Sequence, residues 1–327
     1  MNKLITFSLA LCAFNGFGQS YEPPAGTAGT SAMYKDSSAF TGWATGIELK
    51  RGYLNAADTN FAINGNNKAT FGSPNEALNK AEGSSMTVVS LGDGGVATLT
   101  FAQPIHDGEG PDFAVFENSF LPDFLELAFV EVSSDGIHFF RFPAHTEVPS
   151  TVQVDTYGTM DCRYVHNLAG KYEQGYGTPF DLSELPVDAL LNTGAITHVR
   201  IIDVIGSVDP EIATYDSFGN MVNDPFPTAF ASGGFDLDAV GVIHQGILGI
   251  DEHELQVQIY PNPVSGILHV RPQSTGDLRI LDLTGKLLLS KENIQHEMID
   301  MQQFGSGIYL VEVSAGNARS VQRVVVR

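Results

Sequence analysis

The chain has 327 residues, 43% of them hydrophobic, so it is long enough to bury a sizeable core and to form two domains. Its formal net charge of -21 repels nucleic acids and anionic membrane surfaces, which argues against both as partners. Dispersed carboxylates are typical of a soluble extracellular surface and are also compatible with cation binding.

The N-terminus has the pattern of a signal peptide, which we place at residues 1–18. Lys3 supplies positive charge, an apolar stretch follows over residues 4–14, and Gly16–Gly18 give a small-residue cleavage context. Mature protein then begins near Gln19. Only Cys162 remains after cleavage, which excludes an intramolecular disulfide, and no later apolar run is long enough to cross a bilayer.

Two hairpins are predicted in the first half of the mature chain. Met86–Leu91 and Val96–Phe101 flank the glycine-rich run Gly92–Gly95, whose Asp-Gly step is typical of tight turns. Leu125–Ser133 and Ile137–Phe142 are aromatic and β-branched segments separated by Ser, Asp and Gly. This spacing again predicts a hairpin.

The strand predicted at Leu125–Ser133 has apolar residues in both alternation phases, which is typical of a strand covered on both faces. His198–Gly206 and Phe235–Ile243 have the same character, and we expect these strands to form the core of one β-sandwich. Two long irregular segments, Pro143–Gly194 and Asp209–Ser232, interrupt the pattern. Loops of this length in a compact domain are usually functional, so we expect them to gather as a recognition edge.

The character of the sequence changes near residue 254. Residues 21–254 carry nine basic and 32 acidic side chains, whereas residues 255–327 carry seven and six. The charge asymmetry supports a boundary between a large domain over residues 19–250 and a small domain over residues 251–327, and short strands at regular spacing predict that the small domain is an all-β sandwich. Its seven predicted strands are Gln256–Tyr260, Ile267–Val270, Leu278–Asp282, Lys286–Leu289, Met298–Asp300, Gly307–Val313 and Ser320–Arg327.

The small domain resembles the C-terminal type A sorting domain of the type IX secretion system of Bacteroidetes. The likeness rests on IYPNPVSG (Ile259–Gly266), ILDLTGKLL (Ile280–Leu288), MIDMQQFGSGIYLVEV (Met298–Val313) and RVVVR (Arg323–Arg327). It implies an Ig-like fold, Sec export through the periplasm and the type IX machinery as a partner. It also implies that the mature protein is secreted or held on the outer cell surface.

The large domain resembles galactose-binding-like jelly rolls, including discoidin-type and carbohydrate-binding modules. VEVSSDGIHFFRF (Val130–Phe142) is similar to their strand-turn-strand, and HVRIIDV followed by GGFDLDAVGVI (Gly233–Ile243) is similar to their closing strands. The segments FAVFEN, NLAGKY and GYGTPFDL also resemble uncharacterised bacterial cell-surface proteins. Some of these sit beside corrinoid uptake components, which implies cobalamin as one candidate ligand.

Acidic residues suggest a structural calcium site. Asp236 and Asp238 are two apart on a predicted strand, so both carboxylates leave the same face and repel unless a cation or hydrogen-bond donors neutralise them. In the carbohydrate-binding jelly rolls that the chain resembles, an acidic residue of the last strand helps to hold calcium. The alternative is that Asp236 caps a turn and Asp238 pairs with Arg200. For the calcium site, further oxygen ligands would come from Asp107, Glu109, Asp112, Glu117 and Asn118.

Aromatic side chains suggest a second candidate site, because sugar rings and flat macrocycles both dock against exposed aromatic faces. Tyr172 and Tyr176 are the better candidates, since nearby glycines place them in a loop. The other predicted ligand residues are Trp43, Tyr53, Tyr164, Arg200 and Phe226.

No catalytic motif is present: the sequence lacks a nucleophile elbow, a zinc-binding His-Glu-x-x-His helix and a phosphate-binding glycine loop. We therefore predict an exported ligand-binding protein for a glycan or small polar ligand rather than an enzyme. The alternatives are a corrinoid-binding accessory of nutrient uptake, a purely structural adhesion or matrix protein, and a polysaccharide hydrolase, which needs only two carboxylates from distant positions.

Overall fold

The structure, a computed structural model, describes residues 21–246, 255–283, 285–316 and 318–327. The chain divides into two compact units, Met1–Ile247 and Leu248–Arg327, here called the large and the small unit. The regular elements of the described residues are β-strands and short 3-10 helices, which confirms the all-β prediction. In the same residues no helix is both long and apolar enough to span a bilayer. The predicted signal peptide lies outside the described residues.

The large unit is built on strands joined by long loops. Three 3-10 helices, Pro74–Ala77, Cys162–Tyr164 and Leu182–Glu184, lie in these connections. The strands described are β1 (Met33–Tyr34), β2 (Gly42–Lys50), β3 (Val89–Ser90), β4 (Val96–Ile105), β5 (Phe113–Glu117), β6 (Ala128–Ser133), β7 (Phe140–Arg141), β8 (His145–Thr146), β9 (Val165–His166), β10 (Leu168–Ala169), β11 (Tyr176–Phe180), β12 (Ile196–Asp203) and β13 (Asp236–Val242).

One curled sheet organises the large unit. Its strands follow the order β1, β11, β5, β13, β2, β4, β12, β6 and β10, with β3 beside β13 and β7 beside β6. The long strand β2 joins the two halves, because its first residues pair with β13 and the rest pair with β4. Side chains of both halves meet in the main core, which contains Val115 and Val240 from one half and Leu99 and Val130 from the other.

Strand β6 is covered on both faces, as its sequence pattern predicts. Val130 and Val132 point into the main core, whereas Phe129 lies in a second buried cluster with Leu125 and Leu127. Each such side chain contributes about 1.5–3 kcal/mol when it is removed from water. The second cluster also ties β6 to the loops that follow it in the chain.

The hairpin predicted at Leu125–Phe142 is confirmed. Strand β6 pairs antiparallel with β7, with Glu131 opposite Arg141. In the turn, the Asp135 carboxylate accepts the backbone N–H groups of Ile137 and His138, both at 2.8 Å. The His138 side chain adds a further hydrogen bond, which is the largest cause of the lowered pKa of Asp135.

The hairpin predicted from Met86–Leu91 and Val96–Phe101 is wrong. Strand β3 pairs with β13, whereas β4 pairs with β2 and β12. The turn itself forms, since the Gly95 N–H donates to the Gly92 carbonyl at 2.7 Å. The chain nevertheless crosses from one half of the curled sheet to the other at this turn, so its two arms find different partners.

In the small unit, the seven predicted strands are confirmed, with ends that differ by a few residues. They form a three-stranded and a four-stranded sheet around a core that includes Leu268, Ile280 and Val311. A 3-10 helix, Met301–Phe304, directly follows the strand that ends at Asp300. The strands are β14 (Val257–Tyr260), β15 (Ile267–Pro272), β16 (Gly276–Asp282), β17 (Leu287–Ile294), β18 (Glu297–Asp300), β19 (Gly307–Ala315) and β20 (Ala318–Val326).

Candidate functional site

Three of the predicted ligand-binding aromatics are packing residues. Tyr172 is 2% exposed and its hydroxyl forms a hydrogen bond with Ser31, and Phe226 is 8% exposed. Trp43 packs against Phe40 and Phe116, with ring centroids 5.0 and 5.6 Å away. These side chains stabilise the fold instead of presenting a face to a ligand.

The remaining predicted ligand residues do not gather at one edge. Tyr176 on β11 contacts Tyr34 on β1, with centroids 5.3 Å apart. Arg200 on β12 lies 3.2 Å above the centre of the Phe139 ring and within 3.4 Å of Glu131. Tyr53 and Tyr164 lie on other loops, where Tyr53 is covered by the Lys68 ammonium. Because Tyr172 and Phe226 are buried, a rim that includes them is wrong, whereas the ligand roles of Tyr53, Tyr164, Tyr176 and Arg200 stay predictions.

The acidic residues predicted as calcium ligands separate into different places. Asp107 and Asp112 lie near Asp181, and one carboxylate oxygen from each lies within 4.8 Å of the others. Glu117 is at the opposite end of β5 from Asp112, and a strand rises about 3.3 Å per residue. One ion cannot contact both ends, so the single shell expected from the sequence does not form.

Asp112 is the most buried member of its group, and protein donors satisfy it. Its two oxygens accept the backbone N–H groups of Gly108 at 2.8 Å and Leu182 at 2.7 Å, and one of them also bonds the His244 ring at 2.7 Å. Asp107 is exposed and Asp181 is half-buried. The group thus offers few free oxygens, whereas calcium takes six to eight.

Asp238 also anchors a loop. Its carboxylate accepts the backbone N–H groups of Glu82 at 3.1 Å and Gly83 at 2.8 Å. The alternative pairing of Asp238 with Arg200 is wrong, because Arg200 bonds Glu131. Asp236 has different partners: it pairs with Ser90 of β3, whereas Asp238 lies at a register shift in the pairing of β13 with β5, between Leu237 and Ala239.

Asp236 lies on the floor of a pocket of about 260 Å³, here called the Asp236 pocket. Asn118 and Glu126 line the same pocket, and Asn118 donates a hydrogen bond to Asp236 Oδ2 at 3.1 Å. Aromatic rings form much of the wall. The lining residues are Phe71, Ser85, Met86, Asn118, Phe120, Phe124, Glu126, Thr156, Tyr157, Thr228, Phe230, Ser232 and Asp236.

The carboxylates at the pocket base are short of partners. Among the described residues the Asp236 carboxylate is hydrogen-bonded only by the side chains of Ser90 and Asn118, and Oε1 of the neighbouring Glu117, which does not line the pocket, accepts no hydrogen bond. Asp236 is 6% exposed and Glu117 is 1% exposed. A buried carboxylate with so few donors is costly in its charged form, and a proton or a cation would relieve this cost.

Burial and mutual repulsion shift the titration of these acids. Burial raises the pKa of Asp236 to about 7, against the opposing effects of hydrogen bonding and of the Arg51 charge. The pKa values of Glu117 and Glu126 are raised well above their usual range, first by burial and then by the negative charge of Asp236. Perturbed carboxyl groups that converge on a concave surface are typical of functional sites.

The rings at the pocket mouth are exposed although they are large and apolar. Phe120 is 61% exposed, Tyr157 is 74% exposed and Phe230 is 41% exposed. Tyr157 and Phe230 approach each other with centroids 6.2 Å apart. The aromatic rings at the mouth of the pocket favour apolar faces of a ligand. The acids at its base favour hydrogen-bond donors or cations.

Backbone hydrogen bonds hold the loops that supply this pocket. Ser119 donates its N–H to the Glu117 carboxylate at 2.7 Å, and its one hydroxyl proton lies within reach of the carbonyl oxygens of Leu121 and Phe124. The N–H groups of residues 70 and 71 both donate to the carbonyl of Ala231. These bonds fix Phe71 and Phe120 close to Asp236, which belongs to the rigid strand β13.

Sequence reasoning missed the pocket aromatics Phe71, Phe120, Phe124, Tyr157 and Phe230. Tyr157 and Phe230 belong to the two long irregular segments, so the loop-length signal pointed to the right regions without identifying the residues. Phe120 and Phe124 follow the strand β5 in the run FENSFLPDF, where exposed aromatics beside Pro and Asp were the only available signal.

Comparison with protein families identifies the role of the small unit. Residues 258–327 match the family described as "Secretion system C-terminal sorting domain". This match indicates export to the cell surface or secretion, with the type IX secretion machinery as a partner. The predicted localisation and the predicted resemblance of the small unit are thereby confirmed.

The large unit gains no functional assignment from comparison. The chain is similar to a solved structure described as "Biofilm associated protein - BSP domain", with 10% identity and a TM-score of 0.20. The match covers 71% of this chain and 48% of the other, so the chain spans about half the length of that structure. A likeness this weak supports no argument. No curated protein matches the chain, and the galactose-binding-like resemblance stays a prediction.

Proposed function

We propose that the exported protein is a ligand-binding protein and that the Asp236 pocket holds one unit of a glycan or a small polar ligand of similar size. The observation that carries the proposal is the combination of exposed rings at the mouth with the buried carboxylate of Asp236 in the same pocket, which has no direct cationic partner among the described residues. Aromatic faces bind the apolar face of a sugar ring, and carboxylates accept its hydroxyl groups.

The size of the pocket favours a small ligand. Its volume of about 260 Å³ is slightly below the roughly 300–1,000 Å³ that encloses a drug-sized molecule. A corrinoid is larger than such molecules, so this pocket gives the corrinoid alternative no support. A single sugar ring or a ligand of similar size is the better match.

We expect Tyr157→Ala and Phe230→Ala to weaken binding about five- to tenfold each, because the loss of one aromatic contact costs roughly 1 kcal/mol. The measurement is isothermal titration of the full mature chain with the best ligand from an oligosaccharide array. Both side chains are exposed, so Tm should not change. Tyr164→Ala is the matched control, since Tyr164 is 42% exposed and lies outside the pocket. Equal losses in all three variants would contradict the proposal.

A polysaccharide hydrolase is the second candidate. One observation favours it: Glu126 and Asp236 line the same pocket, and both have raised pKa values, as the general acid of a glycosidase requires. The same array ligands, incubated with the protein and assayed for new reducing ends, separate the two functions. Release that Glu126→Gln abolishes would assign hydrolysis, whereas binding without release supports the binding protein.

Calcium was predicted at Asp107, Asp112, Glu117, Asp236 and Asp238, and of these Asp107 and Asp112 meet in the structure, where Asp181 joins them. We expect calcium at about 5 mM, above the Kd range of extracellular calcium modules, to change Tm by no more than about 1 °C relative to EDTA. The reason is that protein donors already occupy both oxygens of Asp112. A clear rise in Tm that Asp107→Asn abolishes would instead locate an ion in this group.

A further inference from the structure

The charge balance at the base of the Asp236 pocket indicates which charge a ligand of this pocket would carry. Asp236, Glu126 and Glu117 act on one another electrostatically. The cation whose charge reaches Asp236 is Arg51, yet Arg51 donates its hydrogen bonds to the carbonyl oxygens of residues 71, 72 and 90. The carboxylates are therefore left without a direct cationic partner among the described residues, and a ligand that brings positive charge would meet a complementary floor.

A contrast within the same unit shows that this arrangement is unusual. The buried carboxylates of Asp112 and Asp238 each accept two backbone N–H groups. Asp236 accepts no backbone N–H group from the described residues, and its hydrogen bonds come from the side chains of Asn118 and Ser90. Asp236 therefore does not anchor a loop through the backbone as Asp112 and Asp238 do, and unlike them it lines a pocket with aromatic walls.

The walls of the pocket favour a cation as well. The faces of aromatic rings attract ammonium groups by roughly 0.5–2 kcal/mol, depending on how far the contact is removed from water. Phe120, Tyr157 and Phe230 supply such rings around the mouth. Acids at the base and rings along the wall together are complementary to an organic ammonium ion more than to a neutral molecule of the same shape.

We infer that the ligand of the Asp236 pocket carries a protonated amine, and that an amino sugar is the glycan unit best matched to it. This inference rests on the proposed function, since it names the ligand class for the same pocket. The ammonium group would lie against Asp236 and Glu126, and the ring would lie against the aromatic wall. Asn118 would hold the Asp236 carboxylate in place through its hydrogen bond.

The test compares ligands that differ in charge at one position. The full mature chain is titrated at pH 8 in EDTA with glucosamine, glucose, N-acetylglucosamine and choline. At this pH the carboxyl group of Asp236, whose pKa is about 7, is largely ionised, and a useful fraction of the glucosamine is protonated. We expect glucosamine to bind about tenfold more tightly than glucose or N-acetylglucosamine, a preference of about 1.4 kcal/mol. Asp236→Asn and Glu126→Gln should each reduce this preference to about threefold or less, with the fold verified by circular dichroism.

The outcomes distinguish this inference from the proposal beneath it. Equal affinity for glucosamine and glucose, lost in Tyr157→Ala, would overturn the ammonium inference and leave the glycan-binding proposal standing. Binding of choline without any sugar would support the ammonium group and overturn the glycan. Failure of all four compounds to bind would overturn the inference. A glucosamine preference that survives both acid variants would also overturn it, because the charge would then be recognised elsewhere.

Discussion

Replacing Asp112 by Ala is expected to lower the free energy of unfolding of the large unit by about 3–5 kcal/mol. The side chain is fully buried, and its loss leaves the N–H groups of Gly108 and Leu182 and the ring of His244 without their acceptor. Each buried donor left unpaired costs about 1–3 kcal/mol. Urea denaturation in EDTA, following the large-unit transition of the mature chain, measures the loss.

Asp107→Ala is the control for this substitution. Asp107 belongs to the same loop and carries the same charge, but its side chain is exposed. We expect a change within about 0.5 kcal/mol, as for other surface substitutions. Asp112→Asn should fall between the two, because the amide keeps one acceptor oxygen. A loss below about 1 kcal/mol for Asp112→Ala would show that Asp112 does not anchor the loops as its contacts indicate.

The strands were predictable because their signal is local. In β6 and β13 nearly every residue is buried, and the sequence records this as apolar residues on both alternation phases. The small unit was predictable for a further reason, since its motifs follow a family order. The failed hairpin between β3 and β4 marks the limit of local signals. A glycine turn reports that the chain bends, and only the surrounding sheet decides which strand each arm joins.

The acidic residues were the least predictable part of the large unit. Their excess suggested a solvated surface or a cation site, yet several carboxylates are buried acceptors of distant backbone groups. Asp224 bonds the N–H of Leu127, 97 residues away, and Asp203 bonds that of Phe235. No spacing in the sequence encodes such contacts. The Asp236 pocket was hidden for the same reason, because its walls come from loops that are distant in the chain.

Replacing Asp236 by Asn is expected to stabilise the large unit at pH 8 by roughly 2–4 kcal/mol and to leave it unchanged near pH 4. Burial raises the pKa of this carboxyl from 3.8 to about 7, and each pKa unit corresponds to about 1.4 kcal/mol. The expected stabilisation is smaller than the full pKa shift would give, because Asp236 and Glu126 affect each other's titration. Asn is close in shape and keeps an oxygen that can accept the hydrogen bond from Asn118.

The direction of the pH dependence follows from proton uptake on folding. The unfolded carboxyl loses its proton near pH 3.8, whereas the folded carboxyl keeps it until about pH 7. The stability that this group contributes is therefore complete below about pH 4 and is lost as the pH rises toward 7. Glu117 and Glu126 act in the same direction, since their pKa values are also raised. Wild-type protein in EDTA should accordingly unfold more easily at pH 8 than at pH 4.5.

Asp123→Asn provides the comparison, because it removes one negative charge from an exposed position in the loop that contains Phe120. Its stability should follow that of the wild type at both pH values. If Asp236→Asn also follows the wild type, the carboxylate is not strained in the folded protein. If Asp236→Asn is more stable than the wild type at pH 8 and no longer binds ligand, the wild-type chain retains a destabilising acidic side chain at a position where a neutral side chain would give a more stable fold. Such retention is expected of a residue selected for binding and not of one that serves packing.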